Sequence, residues 1–244
     1  DTAIVEFNKA LEIEPGEPYA VFYLGLAYLN KEDLDAAIQA WRSYRNDRQT
    51  LVEQEVKRLT RLIQIAEAHR AAKKALAMEK QLETVKQPPK TVAVFYYQDR
   101  SANKDMQAFQ KGLAAMVITD LANIKSLQVL ERVRIQALLA EMNLGQTGVV
   151  DQKSAPRMGR LVGAENLVMG NLDQGIAVTT ALASSSHGKV KGTASATVPQ
   201  QEFFEIPKKI VLDVTGIMKI KPSAEEMTAL GVAHTKNYDA FIYY

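Results

Sequence analysis

One stretch, residues 91–172, constrains the fold of this chain more than any other. It begins with the apolar run Thr91–Tyr97 and ends with the segment Glu165–Leu172. Between them lie two helix-like segments and a third short apolar run, Leu127–Glu131. Short continuous apolar runs that alternate with helical periodicity indicate buried strands in an α/β layer. The sequence therefore predicts an α/β (α+β) fold in which helices flank a mixed sheet.

The composition is that of an ordinary globular protein, and it excludes several functional classes. Apolar residues make up 47% of the 244 residues, and charged residues make up 24%. A net charge of +2 argues against a nucleic-acid partner, because duplex DNA requires a concentrated basic surface. The chain has no cysteine, which excludes disulfides, thiolate metal sites and cysteine nucleophiles. No uninterrupted apolar run approaches the roughly 18 residues of a membrane helix.

The first 49 residues combine helical periodicity with small and bulky residues at repeating positions. The positions that fit one pattern are Ala3, Phe7, Ala10, Pro15, Leu24, Gly25, Tyr28, Ala37 and Trp41. This pattern, with its 34-residue period, resembles a tetratricopeptide repeat, although Tyr44 and Gln49 depart from it. Stacked helix pairs of this kind present a concave surface to other proteins. We expect Tyr19, Tyr23 and Tyr28 to belong to such a protein-binding surface.

A long helix is predicted after this repeat. Residues 50–85 contain neither glycine nor proline and are rich in strong helix formers, and Pro88 and Pro89 end the segment. Its surplus of lysine and arginine lacks interleaved aromatic residues, which indicates a solvated face rather than a nucleic-acid site. The predicted divisions are a tetratricopeptide-like repeat (1–49), a connecting helix (50–88), an α/β domain (89–220) and an incomplete C-terminal helical segment (221–244).

The remaining elements of the α/β domain follow from turn and capping signals. A polar loop is expected over residues 98–104, and a β-hairpin is expected over residues 175–198, where small residues alternate in polarity. Ser223 and Glu226 have the spacing of a capping box. The other predictions are a helix capped by Asp105, a helix over 133–144 stopped by Gly145, a helix capped by Asp151 or Ser154 and ended by Gly163, a helix over 203–218, and a helix from Thr235.

Four segments of the α/β domain occur in one order with compatible spacing. They are Val92–Phe95, Lys111–Leu121, Leu130–Arg132 followed by Gln136–Leu139, and Gly163–Asn171. Together they resemble the curli-secretion lipoprotein family of the CsgG/HfaB type over residues 91–218. The resemblance implies a periplasmic, outer-membrane-associated α/β domain that forms homo-oligomeric rings. In the secreting members, each subunit also donates two β-hairpins to a shared pore, and a loop after the first strand narrows that pore.

The resemblance assigns candidate contact residues. The loop after the first strand corresponds here to residues 98–104, so that Asp99, Arg100 and Asn103 are the pore-loop or oligomer candidates. Glu131 and Arg132, at a strand end, could form an intersubunit ion pair or an interaction at the start of the following helix. Any membrane association is expected to come from an anchor outside these residues.

The sequence departs from the secreting members in its hairpins. Only one hairpin is recognisable, and its strands carry no aromatic residue. A membrane-spanning strand requires about nine to eleven residues, an apolar outer band and interfacial aromatic girdles. We therefore expect the hairpin to complete the sheet.

Residues that could carry chemistry do not form a recognisable site. His69, His187 and His234 lack metal-ligand spacing, and residues 145–148 lack the lysine and strand–loop–helix context of a phosphate loop. The serines at 184–186 have neither a base beside them nor a nucleophile elbow. The sequence predicts no catalytic, cofactor-binding or metal-binding residue and no cofactor.

These observations favour a non-enzymatic, exported assembly or scaffold domain. It would self-associate and bind envelope or secreted protein partners through its N-terminal repeat. The alternative is a subunit of an outer-membrane secretion channel. A nucleotide- or nucleic-acid-binding enzyme would rest on the α/β layer alone, and a fold does not imply a function.

Overall fold

A computed structural model describes most of the chain and confirms the mixed α/β fold. The described residues are 2–42, 44, 50–101, 107–143, 153–173, 177–186, 188–198 and 202–230. They form ten helices and a six-stranded sheet. The chain divides into two units, Asp1–Glu67 and Ala68–Tyr244, which are described separately. The four-part division drawn from the sequence stays a prediction.

The first unit is helical. It consists of α1 (Thr2–Ile13), α2 (Pro18–Asn30), α3 (Leu34–Arg42) and the first part of α4 (Thr50–Ala77). Its core residues are Val21, Ala37, Ile38, Trp41, Tyr44, Val56 and Ile63. Helices α2 and α3 approach closely at Gly25, where an added Cβ atom would lie 2.0 Å from the indole Nε1 of Trp41. The same Nε1 donates a hydrogen bond to the carbonyl of Phe22 over 3.1 Å, which fixes the ring between the two helices.

The second unit contains the sheet. Its strands are β1 (Thr91–Val94), β2 (Gln98–Asp99), β3 (Gln128–Val129), β4 (Asn166–Asp173), β5 (Ala177–Ser184) and β6 (Val190–Thr197). The order across the sheet is β3-β1-β4-β5-β6, and β2 pairs with β4 beyond the end of β1. The β1–β3, β1–β4 and β2–β4 pairs are parallel, whereas the β4–β5 and β5–β6 pairs are antiparallel. The sheet is therefore mixed, with parallel pairing on one side and the predicted hairpin on the other.

Helices cover both faces of this sheet. The helices after α4 in this unit are α5 (Glu79–Leu82), α6 (Gln107–Ala122), α7 (Arg132–Glu141), α8 (Ala155–Val162), α9 (Glu205–Ile217) and α10 (Ala224–Leu230). Two crossover connections join the parallel strands. The first runs from β1 to β3 through α6, and the second runs in the opposite direction across the sheet, from β3 to β4 through α7 and α8. Because such crossovers are right-handed, they lie on opposite faces. Helix α9 packs beside α6 and over β5 and β6.

The first predicted strand is interrupted rather than continuous to Tyr97. Val94 lies opposite Val168, and Gln98 lies opposite Asn171, so four steps along one strand match three along its neighbour. One extra residue in this interval breaks the ladder, as in a β-bulge. Gln98 and Asp99, which were predicted to begin a polar loop, therefore form strand β2.

The long helix predicted over residues 50–85 is divided, since α4 ends at Ala77 and the short helix α5 follows it. Several other local predictions are confirmed. The hairpin over residues 175–198 corresponds to β5 and β6, and the helix over 203–218 corresponds to α9. Gly163 ends α8 in the left-handed conformation, with φ of 81°. The capping box is formed, since Ser223 N donates to Glu226 Oε2 over 2.7 Å and Glu226 N donates to Ser223 Oγ over 3.2 Å. The predictions at Asp105, Gly145, Asp151 and Thr235 lie outside the described residues.

Across the described ranges, no helix combines the length and apolar character that crossing a membrane would require.

Candidate interaction surfaces

The N-terminal unit exposes an aromatic patch. Tyr19 and Tyr23 are 47% and 46% exposed. The ring of Tyr23 stacks on Phe7 at a centroid distance of 5.9 Å and meets Phe22 edge-on at 5.2 Å. We name Phe7, Tyr19 and Tyr23 the tyrosine surface. Tyr28, the third predicted member, is half-buried and packs against the core of the unit instead. Amphipathic aromatic side chains are favoured at protein interfaces.

The pore-loop candidates differ in how they are used by the fold. Asp99 is 4% exposed, and its Oδ1 atom accepts hydrogen bonds from Ser101 N over 2.8 Å and from Ser101 Oγ over 2.6 Å. Arg100 has an exposed side chain, and its backbone N donates to the carbonyl of Leu172 over 2.8 Å. Asn103 lies outside the described residues. The Asp99 carboxylate thus stabilises the turn to Ser101, while the Arg100 side chain is accessible to a partner.

Glu131 and Arg132 lie at the start of α7. Glu131 occupies the N-cap position without a side-chain capping hydrogen bond, and its carbonyl accepts a hydrogen bond from Arg134 N over 3.0 Å. Arg132 is half-buried, and its Nε atom has no hydrogen-bond partner within the described residues. An intersubunit role for the pair stays a prediction.

A polar cluster that sequence reasoning missed joins the tip of the hairpin to the sheet. Glu165 Oε1 accepts hydrogen bonds from Ser184 Oγ over 2.6 Å and from Ser186 Oγ over 3.1 Å, and Glu165 Oε2 accepts one from Ser185 Oγ over 3.2 Å. Lys191 Nζ lies 3.5 Å from Glu165 Oε1 and donates to Asn166 Oδ1 over 2.6 Å. The serine run was visible in the sequence, but the acceptor lies about twenty residues away and is brought to it only by β4–β5 pairing.

The electrostatics of this cluster fit a structural role. Burial raises the pKa of Glu165. The hydrogen bonds from Ser184 and Ser186, the Lys191 ammonium and the hydrogen bond from Ser185 lower it by more, so the pKa lies below its usual range. A carboxylate stabilised as an anion in this way is a weak base. The hydrogen bonds of this carboxylate tie the end of β5 to the start of β4.

The histidine that is described also has a structural partner. His69 Nδ1 lies 2.8 Å from Glu141 Oε1, and Lys73 Nζ lies 3.9 Å from the same oxygen. His187 and His234 lie outside the described residues. In the described part of the chain, no three histidine, aspartate or glutamate side chains are grouped so that they could hold a metal ion.

Strand β6 forms one edge of the sheet in the described part of the chain. Its alternate side chains Lys191, Thr193, Ser195 and Thr197 are exposed. On its other face, Gly192 lies beneath α9, where an added Cβ atom would be 2.9 Å from the side chain of Ile217. The opposite edge, β3, has only two residues. Among the described residues, the eight-residue strand β6 is the longer of the two strands at the ends of the strand order.

One family match covers more than half of the chain. The family described as curli production assembly/transport component CsgG matches residues 72–202. That range contains all six strands. No curated protein matches the chain significantly.

Two solved structures resemble part of the chain. The LpoB C-terminal domain from Salmonella enterica is 15% identical, with a TM-score of 0.39, and the match covers 54% of this chain and 94% of that one. The LpoB C-terminal domain from Escherichia coli is 14% identical, with a TM-score of 0.35, and the match covers 50% of this chain and 93% of that one.

Proposed function

The chain belongs to the CsgG family, and we propose that it is a non-enzymatic assembly or scaffold protein of the bacterial envelope. In this proposal it is periplasmic and outer-membrane-associated. It self-associates through its α/β domain and binds envelope protein partners through its N-terminal helices. The observation that carries the proposal is the family match, because residues 72–202 include the whole sheet.

The proposed non-enzymatic role is supported by the use of the polar side chains within the fold. The Glu165 carboxylate is engaged by three serines and a lysine. The Asp99 carboxylate closes a local turn. Both groups act as hydrogen-bond acceptors for their own chain, as structural carboxylates do.

We further propose that the N-terminal helices are tetratricopeptide-like. The support is the close contact of Gly25 with Trp41 and the complete burial of Ala37, at 0% exposure. Small residues at these positions let paired helices approach, which is the packing that such repeats require. The tyrosine surface would then be the part of the repeat that contacts a partner.

A second candidate is a subunit of a secretion channel, and the description of the family as an assembly/transport component favours it. The β5–β6 hairpin supports the scaffold instead. Strand β5 pairs with β4 along its full eight-residue length, and α9 packs over the hairpin. Those contacts use the hairpin to complete the sheet of its own domain.

The first test is the mass of the full-length protein by light scattering, with and without detergent. The scaffold proposal expects a closed oligomer without detergent. An oligomer that forms only in detergent would favour the channel, and a monomer in both conditions would contradict self-association. Fractionation of cells that produce the full-length protein tests the envelope assignment, because recovery in the cytosol alone would contradict it.

The second test concerns the tyrosine surface. Partners retained by the full chain from an envelope extract would be identified, purified and titrated against Tyr19→Ser/Tyr23→Ser. Loss of two aromatic contacts should weaken binding about 10-fold or more. Val5→Ser/Ile13→Ser is the control, since both residues are exposed on α1 and lie outside the tyrosine surface. Equal affinity of the tyrosine variant and the control would contradict this assignment.

A further inference from the structure

Within the described residues, no strand pairs with the outer edge of β6, and beyond Lys191 the strand lacks the features that usually protect such an edge. Proteins protect such edges with proline, charge or bulges, or by keeping the strand short. Residues 192–197 contain no charged residue and no proline. The one irregularity, a register shift opposite Leu182 and Ala183, lies near the hairpin end of the strand. From Gly192 to Thr197 the strand is regular and uncharged.

The ammonium group of Lys191 interacts with side chains of its own chain. Its Nζ atom donates to Asn166 Oδ1 over 2.6 Å and lies 3.5 Å from Glu165 Oε1. An ammonium held by these two partners gives little charge repulsion to a strand approaching the open edge of β6. The edge is therefore suited to pairing.

We infer that β6 pairs antiparallel with β6 of a second copy of this chain, about a two-fold axis at Ala194. A two-fold axis perpendicular to a sheet lies between the two strands and sets one residue directly opposite the same residue of the other copy, on the same face. Of the two middle residues, Ala194 lies farther from the irregularity, and its small side chain can face its own copy. Thr193 then lies opposite Ser195 of the second copy, and Lys191 lies opposite Thr197 of that copy.

This pairing is self-complementary. On the exposed face, no two like charges are opposite each other, and the threonine–serine pairs at the centre favour cross-strand contact. On the α9 face, Ala194 faces its copy and Gly192 faces Ala196, so small side chains meet there. No described strand pairs with the outer edge of β6, so the backbone donors and acceptors along the two edges would be satisfied together. Extended peptides commonly add to sheet edges in this way.

The inference rests on the proposed self-association and adds that the outer edge of β6 is the contact surface. The test is the mass of the full-length protein by analytical ultracentrifugation over a concentration series. Thr193→Lys/Ser195→Lys sets two pairs of lysines opposite each other across the axis. We expect this variant to shift the association midpoint by at least 10-fold, because directly opposed like charges are destabilising.

A charge-matched variant separates the interface from a folding defect. Thr193→Glu/Ser195→Lys has the same two sites altered, but each glutamate faces a lysine of the other copy, so association should be retained. Ala122→Lys/Ser126→Lys adds the same charge at exposed sites and should leave association unchanged. Circular dichroism and the melting temperature verify that each variant is folded.

Cysteine cross-linking tests the register, since the chain has no cysteine of its own. Directly opposed residues in antiparallel strands have Cα atoms about 4.5–5.5 Å apart, which suits a disulfide. A mixture of Thr193→Cys and Ser195→Cys proteins should cross-link under mild oxidation more than either protein alone.

The outcomes distinguish β6 pairing from the more general proposal of self-association. A monomeric wild-type protein would overturn both. An oligomer that the double-lysine variant leaves intact would overturn strand pairing and retain self-association. Equal cross-linking by Thr193→Cys alone would overturn the axis at Ala194.

Discussion

Gly170 on β4 lies directly against the buried ring of Tyr97, and a Cβ atom on this glycine would be 2.5 Å from Tyr97 Cε1 and 2.1 Å from the carbonyl oxygen of Thr179. The phenol of Tyr97 reaches past the glycine to Thr180 on the neighbouring strand, where the two hydroxyl groups are 3.1 Å apart. The buried ring of Tyr97 thus requires a glycine on β4 and a hydroxyl group on β5. Burial raises the pKa of Tyr97, although the hydrogen bond to Thr180 opposes that effect, so the phenol is neutral at any physiological pH.

Gly170→Ala should destabilise the protein. The methyl group would collide with a backbone oxygen that cannot rotate away, and overpacking of this kind costs about 1–3 kcal/mol or more. Chemical denaturation measures the loss. The control is Gly216→Ala in α9, where an added Cβ atom meets nothing within 4 Å and alanine should stabilise the helix by up to about 1 kcal/mol. Equal effects of the two changes would contradict the described packing.

Tyr97→Phe should lower the free energy of unfolding by about 1–3 kcal/mol, because it leaves the buried Thr180 hydroxyl without its phenol partner. Thr180→Val should have an effect of similar size. The double variant should lose less than the sum, with a coupling of at least about 0.5 kcal/mol. Strict additivity in this double-mutant cycle would show that the hydroxyl groups do not interact.

Glu165 should make stability depend on acid pH. Its pKa in the folded protein is lowered, so its contribution is present above the unfolded pKa of about 4.3 and is lost as the pH falls through the lower folded value. Urea denaturation at pH 7 and near pH 3 should therefore show a larger fall in stability for the wild type than for Glu165→Gln. The exposed residue Glu83, changed to Gln, controls for the loss of one negative charge; matching pH profiles for both variants would contradict the prediction.

A small cavity between α4, α7 and α8 offers a stabilising substitution. Its volume is ≈ 60 Å³, and its lining residues are Ala71, Ala72, Ala75, Arg134, Leu138, Leu161 and Val162. Ala75→Leu should fill part of it and raise stability by about 0.5–2 kcal/mol. Ala77→Leu, exposed on the same helix, should change stability by less than about 0.5 kcal/mol. A loss of melting temperature in Ala75→Leu alone would show that the cavity cannot admit the side chain.

Asp99 and Arg100 should respond differently to substitution. Asp99→Ala removes the acceptor of two hydrogen bonds from Ser101 and should cost about 1–3 kcal/mol. Arg100→Ala removes an exposed side chain and should change stability by less than about 0.5 kcal/mol. If Arg100 belongs to a subunit contact, its variant should alter the oligomer mass while the melting temperature stays constant. An unchanged mass would remove Arg100 from the candidates.

The candidate site was less accessible from the sequence than the fold. Tyr19, Tyr23 and Tyr28 were expected together on the surface of the repeat-like helices; Tyr19 and Tyr23 are exposed, whereas Tyr28 is half-buried and packs against the core of the unit. Asp99 was predicted to lie in a loop because the polar run from Gln98 onward shows no pattern typical of a strand. Its place in β2 depends on β4, which supplies the hydrogen-bond partners some seventy residues later.

The local elements and the class of fold could be predicted from the residues alone. Apolar runs, helical stripes and the Ser223–Glu226 box specify their structures through contacts within a few residues, so periodicity and capping suffice to predict them. Which elements are neighbours became known only from the folded domain. Folding brought Glu165 to the serines at 184–186, matched Gly170 to Tyr97 and left β6 at the edge of the sheet. These relationships depend on strand order and register, which arise from the packing of the whole domain and leave no signature within one segment.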